Sequence, residues 1–378
     1  MQAYLDNAST TRPYKEVIDV MSDVAYNHWG NPSSSHGFGD NARQIIEEVR
    51  SQIAADINAS PEEIIFTSGA CEANTLALKG YMEKHSYTTW WTSRLEHSSI
   101  EKLATQEVPR ARFLPNDFSG MVYLDPWSFE SMKSAPNPPL VSISAANGEV
   151  GTIQNIKLLS SDVHKAGGIF HTDATQLFPE KCIDVKALGI DMMSVSAQKF
   201  HGPRGAGVLY VKNGIELKPL IYGTQENGLR GGTYNTAAIA GMGKALELVR
   251  KSSSLGNVAF LRDKLLIKLN EEIDGVKLNG SFPAPGQRLA NNINITIDGV
   301  NAEKLVTLCS LYGVYISKGS ACNSYNPEPS KTLQAIGLND EDIFNTVRIT
   351  LDEFNTEEEI DYAANIITLL VERIREDD

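Results

Sequence analysis

Two short apolar-rich segments, GIFHTD (168–173) and DMMSVS (191–196), restrict the fold of this chain more than any other part of it. Both read as buried strands, and each runs directly into polar residues able to do chemistry. Upstream, strand and helix alternate. A strand over 63–67 leads to a helix over 70–79, the strand in TTWWTS to a helix begun in LEHSSI, and a strand over 140–146 to a helix over 155–166. This βα alternation predicts an α/β fold with a largely parallel sheet and helices on both faces. Ligands of open α/β sheets bind outside the carboxyl ends of the strands. Asp173 and Lys199 stand at two neighbouring ends, facing one crevice.

A lysine and a carboxylate in one crevice suit pyridoxal 5′-phosphate (PLP), which takes a lysine as covalent anchor and an acid at its pyridine nitrogen. Two residues alone are equally a strand-end ion pair, so the remaining sequence has to discriminate. At 378 residues the chain is long enough for two domains. Its net charge of −13 (34 Lys and Arg against 47 Asp and Glu) argues against direct contact with a nucleic-acid backbone. No apolar run approaches the roughly 20 residues of a membrane span. The opening MQAYLDNASTTRPY has no basic region followed by an apolar stretch, so no secretion signal is expected. Cys71, Cys182, Cys309 and Cys322 are scattered without metal-ligand spacing. We therefore expect no metal, no disulfide framework and a reducing, cytoplasmic setting.

In chain order, a helix over 14–26 precedes the polar loop HWGNPSSSHGFG, where Asn31 and His36 are candidates to face a ligand. An amphipathic helix over 42–57 follows. In FTSGACEAN a strand, a Ser68–Gly69 turn and a helix start at Ala70–Cys71 combine free backbone N–H groups with a positive helix end. That is an anion cradle, although many βα turns share the pattern. His97 sits at a strand-to-helix junction, where active-site residues of α/β enzymes lie but a lone His is more often structural, and Asn147 at a strand end beside Gly148. Beyond Lys199 come a strand in GPRGAGVLYVK, another in LKPLIYG, and a Gly-rich loop with Thr233 that enters a long helix.

Around 251–254 the pattern changes to helix (258–273), strand (292–297), helix (302–311) and strand (314–317). The strand TVRITLD follows, then a helix opened by a Thr356/Glu359 capping box. The expected organisation is a large domain over 14–250 and a smaller α+β domain over 1–13 and 251–378. Cys309, in LVTLCSLYG, reads as structural. Cys322 lies in the polar loop KGSACNSYNPEPSK, where a thiolate can act as a nucleophile.

Taken together, YLDNASTT, GNPSS, FTSGACEAN, LEH, NGEVG, HTDATQ, SAQKFHGPRG, LRGGT, GSACNS and VRITLDEFNTEEEID resemble the cysteine desulfurases of the class V aminotransferase group. They occur in family order along nearly the whole chain. The GSAC loop followed by EPS resembles the long-loop type that supplies sulfur for iron–sulfur clusters and thiolation. The resemblance implies a PLP-dependent transferase of fold type I, with a mostly parallel seven-stranded type of sheet in the large domain, acting as a homodimer. It implies that Lys199 carries the cofactor and moves protons, Asp173 keeps the pyridine nitrogen protonated, His97 stacks on the ring and Gln176 bonds its phenolic oxygen. The phosphate would rest on Ala70, Cys71, Ser196 and Gln198, with Thr233 from the other subunit. Asn147 would approach ring and substrate, and Asn31 and Arg348 would hold the substrate carboxylate. Cys322 would take sulfur from L-cysteine as a persulfide, release alanine and hand the sulfur to an acceptor protein that the sequence does not identify.

Three departures stand out. Gln198 replaces the family's usual His; it can donate to phosphate but cannot exchange protons near neutral pH. Cys71 replaces a Thr in the phosphate turn. LDEF replaces LGRF, placing Asp352 and Glu353 there, and Asp378 follows without the family's C-terminal extension, so the usual scaffold contacts are not expected to carry over. Readings other than a desulfurase are a selenocysteine lyase or transaminase of the same superfamily, or a catalytically degenerate sulfur-pathway binding partner. The nucleophile-bearing loop speaks against a transaminase, and intact Lys199, Asp173 and Cys322 against degeneracy.

Overall fold

A computed structural model describes residues 1–85, 88–107, 111–319 and 329–377. Among these, strands are β1 (Ala3–Tyr4), β2 (Ile64–Thr67), β3 (Trp90–Thr92), β4 (Ala111–Phe113), β5 (Leu140–Ser142), β6 (Ile169–Asp173), β7 (Met192–Ser196), β8 (Gly207–Val211), β9 (Val276–Leu278), β10 (Asn292–Ile297), β11 (Val314–Tyr315) and β12 (Thr346–Thr350). Seven of them form one sheet in the order β2-β8-β7-β6-β5-β3-β4. Only β8 runs antiparallel to its neighbours. The largely parallel α/β sheet expected from the alternation is present, with the seven strands that the family resemblance implies.

Period-two packing explains why these segments are strands. Phe66, Trp91, Val141, Phe170, Met193 and Val208 enter one hydrophobic core. Their chain neighbours Ile65, Trp90, Leu140, Met192 and Leu209 enter another on the opposite face. Helices Lys15–Asn27, Gly37–Asp56 and Thr236–Lys251 pack together, and their apolar stripes contribute to the first core. The helix Ala70–Lys84 covers the second face. A third core gathers Ala3 and Leu5 with residues from Val258 to Ile374, around the antiparallel sheet β12-β10-β9 and the parallel pair β1–β11. Leu333, Ile336 and Ile343 do not join it; they pack on the first core.

Three details differ from the sequence reading. The segment 217–223, LKPLIYG, is not a strand. Pro219 has no N–H to give a ladder, and the segment makes separate bonds instead, Lys218 N–H to Gly80 O and Gly231 N–H to Ile221 O. The second helix begins at Gly37, ahead of 42, because His36 caps it by accepting from Gly39 N at 3.3 Å. Strands β1, β4 and β9 are too short, at two or three residues, to show a period. No helix among the described residues is long and apolar enough to cross a membrane. The final helix opens with the expected capping box, Glu359 N–H on Thr356 Oγ1 and Thr356 N–H on Glu359 Oε2.

Gly207 shows how tightly β2 and β8 close on the sheet edge that carries the site. A Cβ there would stand 2.5 Å from Gly69 Cα and 2.8 Å from Val195 O, backbone that cannot step aside. Gly207→Ala is expected to lower unfolding stability by about 1–3 kcal/mol. The check is a urea titration; an unchanged midpoint would show that the two strands separate freely.

Candidate functional site

The carboxyl ends of β2, β3, β5, β6 and β7 and the first residue of β8 converge on one edge of the sheet. Asp173, the last residue of β6, is buried there, and its oxygens accept from Asn74 Nδ2 at 2.7 Å and Thr175 N at 2.9 Å. Asn74 also reaches Ser99 Oγ at 3.1 Å, and Ser99 Oγ lies 2.9 Å from His97 Nδ1. A hydrogen-bonded relay thus runs from the exposed His97 ring to the buried carboxylate. Asn74 Oδ1 and Thr175 Oγ1 are buried without a hydrogen-bond partner among the described residues.

One edge of the crevice is the predicted anion cradle. Gly69, at φ 152°, turns β2 into the helix Ala70–Lys84. A Cβ on Gly69 would lie 3.6 Å from Ser196 Oγ, so Ser196, Gly69 and the amides of Ala70 and Cys71 surround one small space. Glu72 accepts from Ser68 N at 2.8 Å and Arg230 Nε at 2.8 Å. Burial alone would raise its pKa, but those hydrogen bonds outweigh it and hold the carboxyl below its usual range. Thr233 is exposed in the loop after Arg230.

Lys199, in the turn after β7, donates from Nζ to Ala8 O and Ser9 O, both at 2.6 Å. Gln176 Nε2 donates to the same Ala8 carbonyl at 3.1 Å. The Gln198 backbone carbonyl accepts from Thr11 N and Oγ1, each at 3.0 Å. Arg348, from β12, is buried and donates to Asp6 Oδ1 at 2.7 Å, Ser9 Oγ at 2.8 Å and Gly148 O at 3.3 Å, while its Nε has no partner among the described residues. The N-terminal strip 6–11 therefore lies across the crevice and touches four of the candidate residues, Gln176, Gln198, Lys199 and Arg348. Sequence reasoning gave this strip no role. The groups it offers Lys199 and Gln176 are the backbone carbonyls of Ala8 and Ser9, which leave no side-chain pattern to read.

Asn147 is buried after β5, and its amide is engaged on both sides: Nδ2 on Leu95 O, Oδ1 under Glu149 N and Val150 N. Asn31 is exposed and accepts from Ser33 N at 2.9 Å. Cys309 is fully buried, and burial pushes its thiol up to about 12, as suits a structural residue. Cys71 and Cys182 are exposed. Cys322 lies outside the described residues.

Glu96, also missed from sequence, precedes His97 and joins the ends of β3 and β5. Oε1 accepts from Ser93 Oγ at 2.6 Å, and Oε2 from Ser144 N at 3.0 Å and Ser144 Oγ at 2.5 Å. Burial raises its pKa to about 7; the Ser144 and Ser93 hydrogen bonds oppose the rise and the Asp173 charge adds to it. Both serine hydroxyls can turn from donor to acceptor, so Glu96 can take up a proton without losing its partners.

The aminotransferase class-V family model matches residues 3–363. The chain is 38% identical to cysteine desulfurase IscS of Dictyoglomus turgidum, over 99% of this chain and 95% of that protein. It is also 38% identical to the mitochondrial cysteine desulfurase of Arabidopsis thaliana, over 99% of this chain and 83% of that one. Among solved structures, a NifS-like protein superposes with a TM-score of 0.88 at 31% identity, covering 99% of this chain and all (100%) of that one. SspA in complex with cysteine superposes with a TM-score of 0.80 at 32% identity, covering 94% of this chain and 100% of that one.

Glu96 and Glu180 are both pushed by burial to about 7. The native state then holds protons that the unfolded chain has already released, so stability falls as pH rises from about 4.5 to 7 and stays low above that. Glu96→Gln should remove one group's share of the decline, roughly 3 kcal/mol at most. Urea unfolding of both proteins across pH 5 to 8 reads this, and parallel stability curves would mean that Glu96 does not titrate there.

Proposed function

We infer that this chain, which belongs to the class V aminotransferase family, is a PLP-dependent cysteine desulfurase that takes sulfur from L-cysteine and leaves L-alanine. What carries the reading is the convergence of Asp173, Lys199 and Arg348 on one sheet edge, beside an anion cradle, in a chain alike over its whole length to cysteine desulfurases.

The residues present fit PLP. Ala70 and Cys71 open a helix N-terminus with the Ser196 hydroxyl beside it, Gln198 on the following turn, and Gly69 leading in, where a Cβ would stand 3.6 Å from Ser196 Oγ. Asp173 would hold the proton on the pyridine nitrogen, His97 would cover the ring, Gln176 would bond its phenolic oxygen and Lys199 would anchor it. Buried Asn74 Oδ1 and Thr175 Oγ1, left without partners beside Asp173, mark the same place. When bound, PLP supplies an electron sink for the substrate carbon.

The protein's own residues supply the rest. Arg348, whose Nε has no partner among the described residues, receives the substrate carboxylate in two-point fashion as Asp6 gives way, with Asn31 as a second donor. Asn147, rigidly held, shapes the wall facing ring and substrate. Lys199 moves protons at the reacting carbon, a task that Gln198 cannot share. The Cys322 thiolate attacks the substrate sulfur: an S–S bond forms, the C–S bond breaks, and its electron pair stays with carbon, which is protonated. The balance is L-cysteine plus Cys322–SH to L-alanine plus Cys322–S–SH.

We further propose the two-domain division 14–250 against 1–13 with 251–378, supported by the separate core that unites Ala3 and Leu5 with the C-terminal strands. A homodimer would let the exposed Thr233 serve the partner's phosphate. A cytoplasmic protein acceptor would receive the persulfide sulfur, for iron–sulfur clusters or thiolation. On incubation with L-cysteine, the wild type should yield alanine and, with an added dithiol to reduce the persulfide, sulfide, and show an absorbance band lost on borohydride treatment. Cys322→Ala should form no enzyme persulfide. Persulfide formed by that variant as fast as by wild type would remove Cys322 from the role. Amino transfer to an added keto acid would point to a transaminase, and turnover of selenocysteine alone to a lyase.

A further inference from the structure

Glu149, in the turn after β5, has no part in the chemistry above, yet it is buried beside the site. Its backbone is fixed by Asn147 Oδ1, which accepts its N–H at 2.8 Å. One carboxylate oxygen, Oε1, has no hydrogen-bond partner among the described residues. That oxygen points at Gly319, where a Cβ would come within 2.8 Å of it. On the other side Ser330 and Thr332 are within hydrogen-bonding reach of the carboxylate, and Arg348 is close enough to feel its charge. Gly319 and Ser330 flank the segment that contains Cys322.

The two flanks belong to different parts of the molecule. Gly319 follows Ser317, whose backbone exchanges two hydrogen bonds with Arg348 at 2.7 and 3.0 Å and whose Oγ donates to Gly319 O at 2.8 Å. This flank therefore travels with β12 and the C-terminal core. Ser330 caps the helix Lys331–Ala335, whose Leu333 packs on the first core of the large sheet. Glu149 stands on that large sheet and faces both.

We propose that Glu149 is a positioning residue: its carboxylate sets the two flanks of the Cys322 segment, Gly319 and Ser330, relative to each other and to the substrate-binding Arg348. This deepens the desulfurase reading and rests on Cys322 being the sulfur carrier. Burial pushes the Glu149 pKa up, while Ser330, Arg348 and Thr332 oppose the rise, as expected of a carboxylate kept for its partners. Gly319, at φ 125° and against the carboxylate, is the matching part: any side chain there would displace Glu149.

The test compares holoenzyme of wild type, Glu149→Gln and Gly319→Ala. Without substrate, the rate of iodoacetamide labelling of Cys322, followed by mass spectrometry of its peptide, should change by about fivefold or more in both variants, as the two flanks shift relative to each other. With L-cysteine, kcat for persulfide formation should fall about tenfold or more through misplacement of the thiolate. KM should stay level or fall in Glu149→Gln, because Arg348 loses a competing carboxylate. Labelling and kcat within twofold of wild type in both variants overturn the proposal, as does a fall in kcat that appears only with loss of bound cofactor and a lower Tm. The labelling rate involves no turnover, so it reports on Glu149 even if Cys322→Ala were to show that another group carries the sulfur.

Discussion

A carboxylate removed from water has to be given hydrogen bonds, and this molecule places one, Asp173, at the end of a strand buried in all but its first residue. Much of the site is arranged around satisfying it. The helix Ala70–Lys84 brings Asn74 to one oxygen, and the turn after β6 brings the Thr175 amide to the other. The same helix presents its N-terminus to the crevice, so the requirement that seats Asp173 also orients the anion cradle. Through Ser99 the arrangement extends to His97. The negative charge is held where nearby groups feel it: Glu96 is raised in part by it, and buried His171, whose pKa burial lowers, is held up against that trend by the same charge.

The parts of this arrangement that sequence displays are those with a period or a side-chain type. Strands β6 and β7 announce themselves by apolar content, and their ends locate Asp173 and Lys199. The Ser68–Gly69 turn is visible because a glycine and a helix start come together. Residues that act across long separations are not visible in this way. Asn74 lies on a helix face like any other polar residue until β6 is set beside it, 99 positions later. Glu96 and Glu149 look like surface acids, and only the closure of β3 against β5, and of the C-terminal core against the large sheet, buries them. The mistaken strand in LKPLIYG shows the converse. Local apolar content is there, but Pro219 has no N–H for a ladder and the segment bonds to Gly80 and Gly231 instead.

Two buried acids consequently serve different ends. Glu96, surrounded by hydroxyls that both donate and accept, is built to change protonation without moving. Glu149 sits between groups from two cores, so its charge is mechanical as much as electrostatic. Neither touches the place where bonds would be made or broken, and both stand one sequence position or one turn from a residue that does.

The N-terminal strip carries a different consequence, in the timing of synthesis. Asn7 and Ala8 bond to Thr350, 343 and 342 residues further on, and β1 pairs only with β11. A chain emerging from the ribosome can assemble most of the large sheet, with Thr11 on the Gln198 carbonyl, while β1 and Asn7 still wait for their C-terminal partners. Until the last strands appear, Arg348 is not yet made. The candidate site is thus complete only once β12 has brought Arg348 to Asp6 and Ser9.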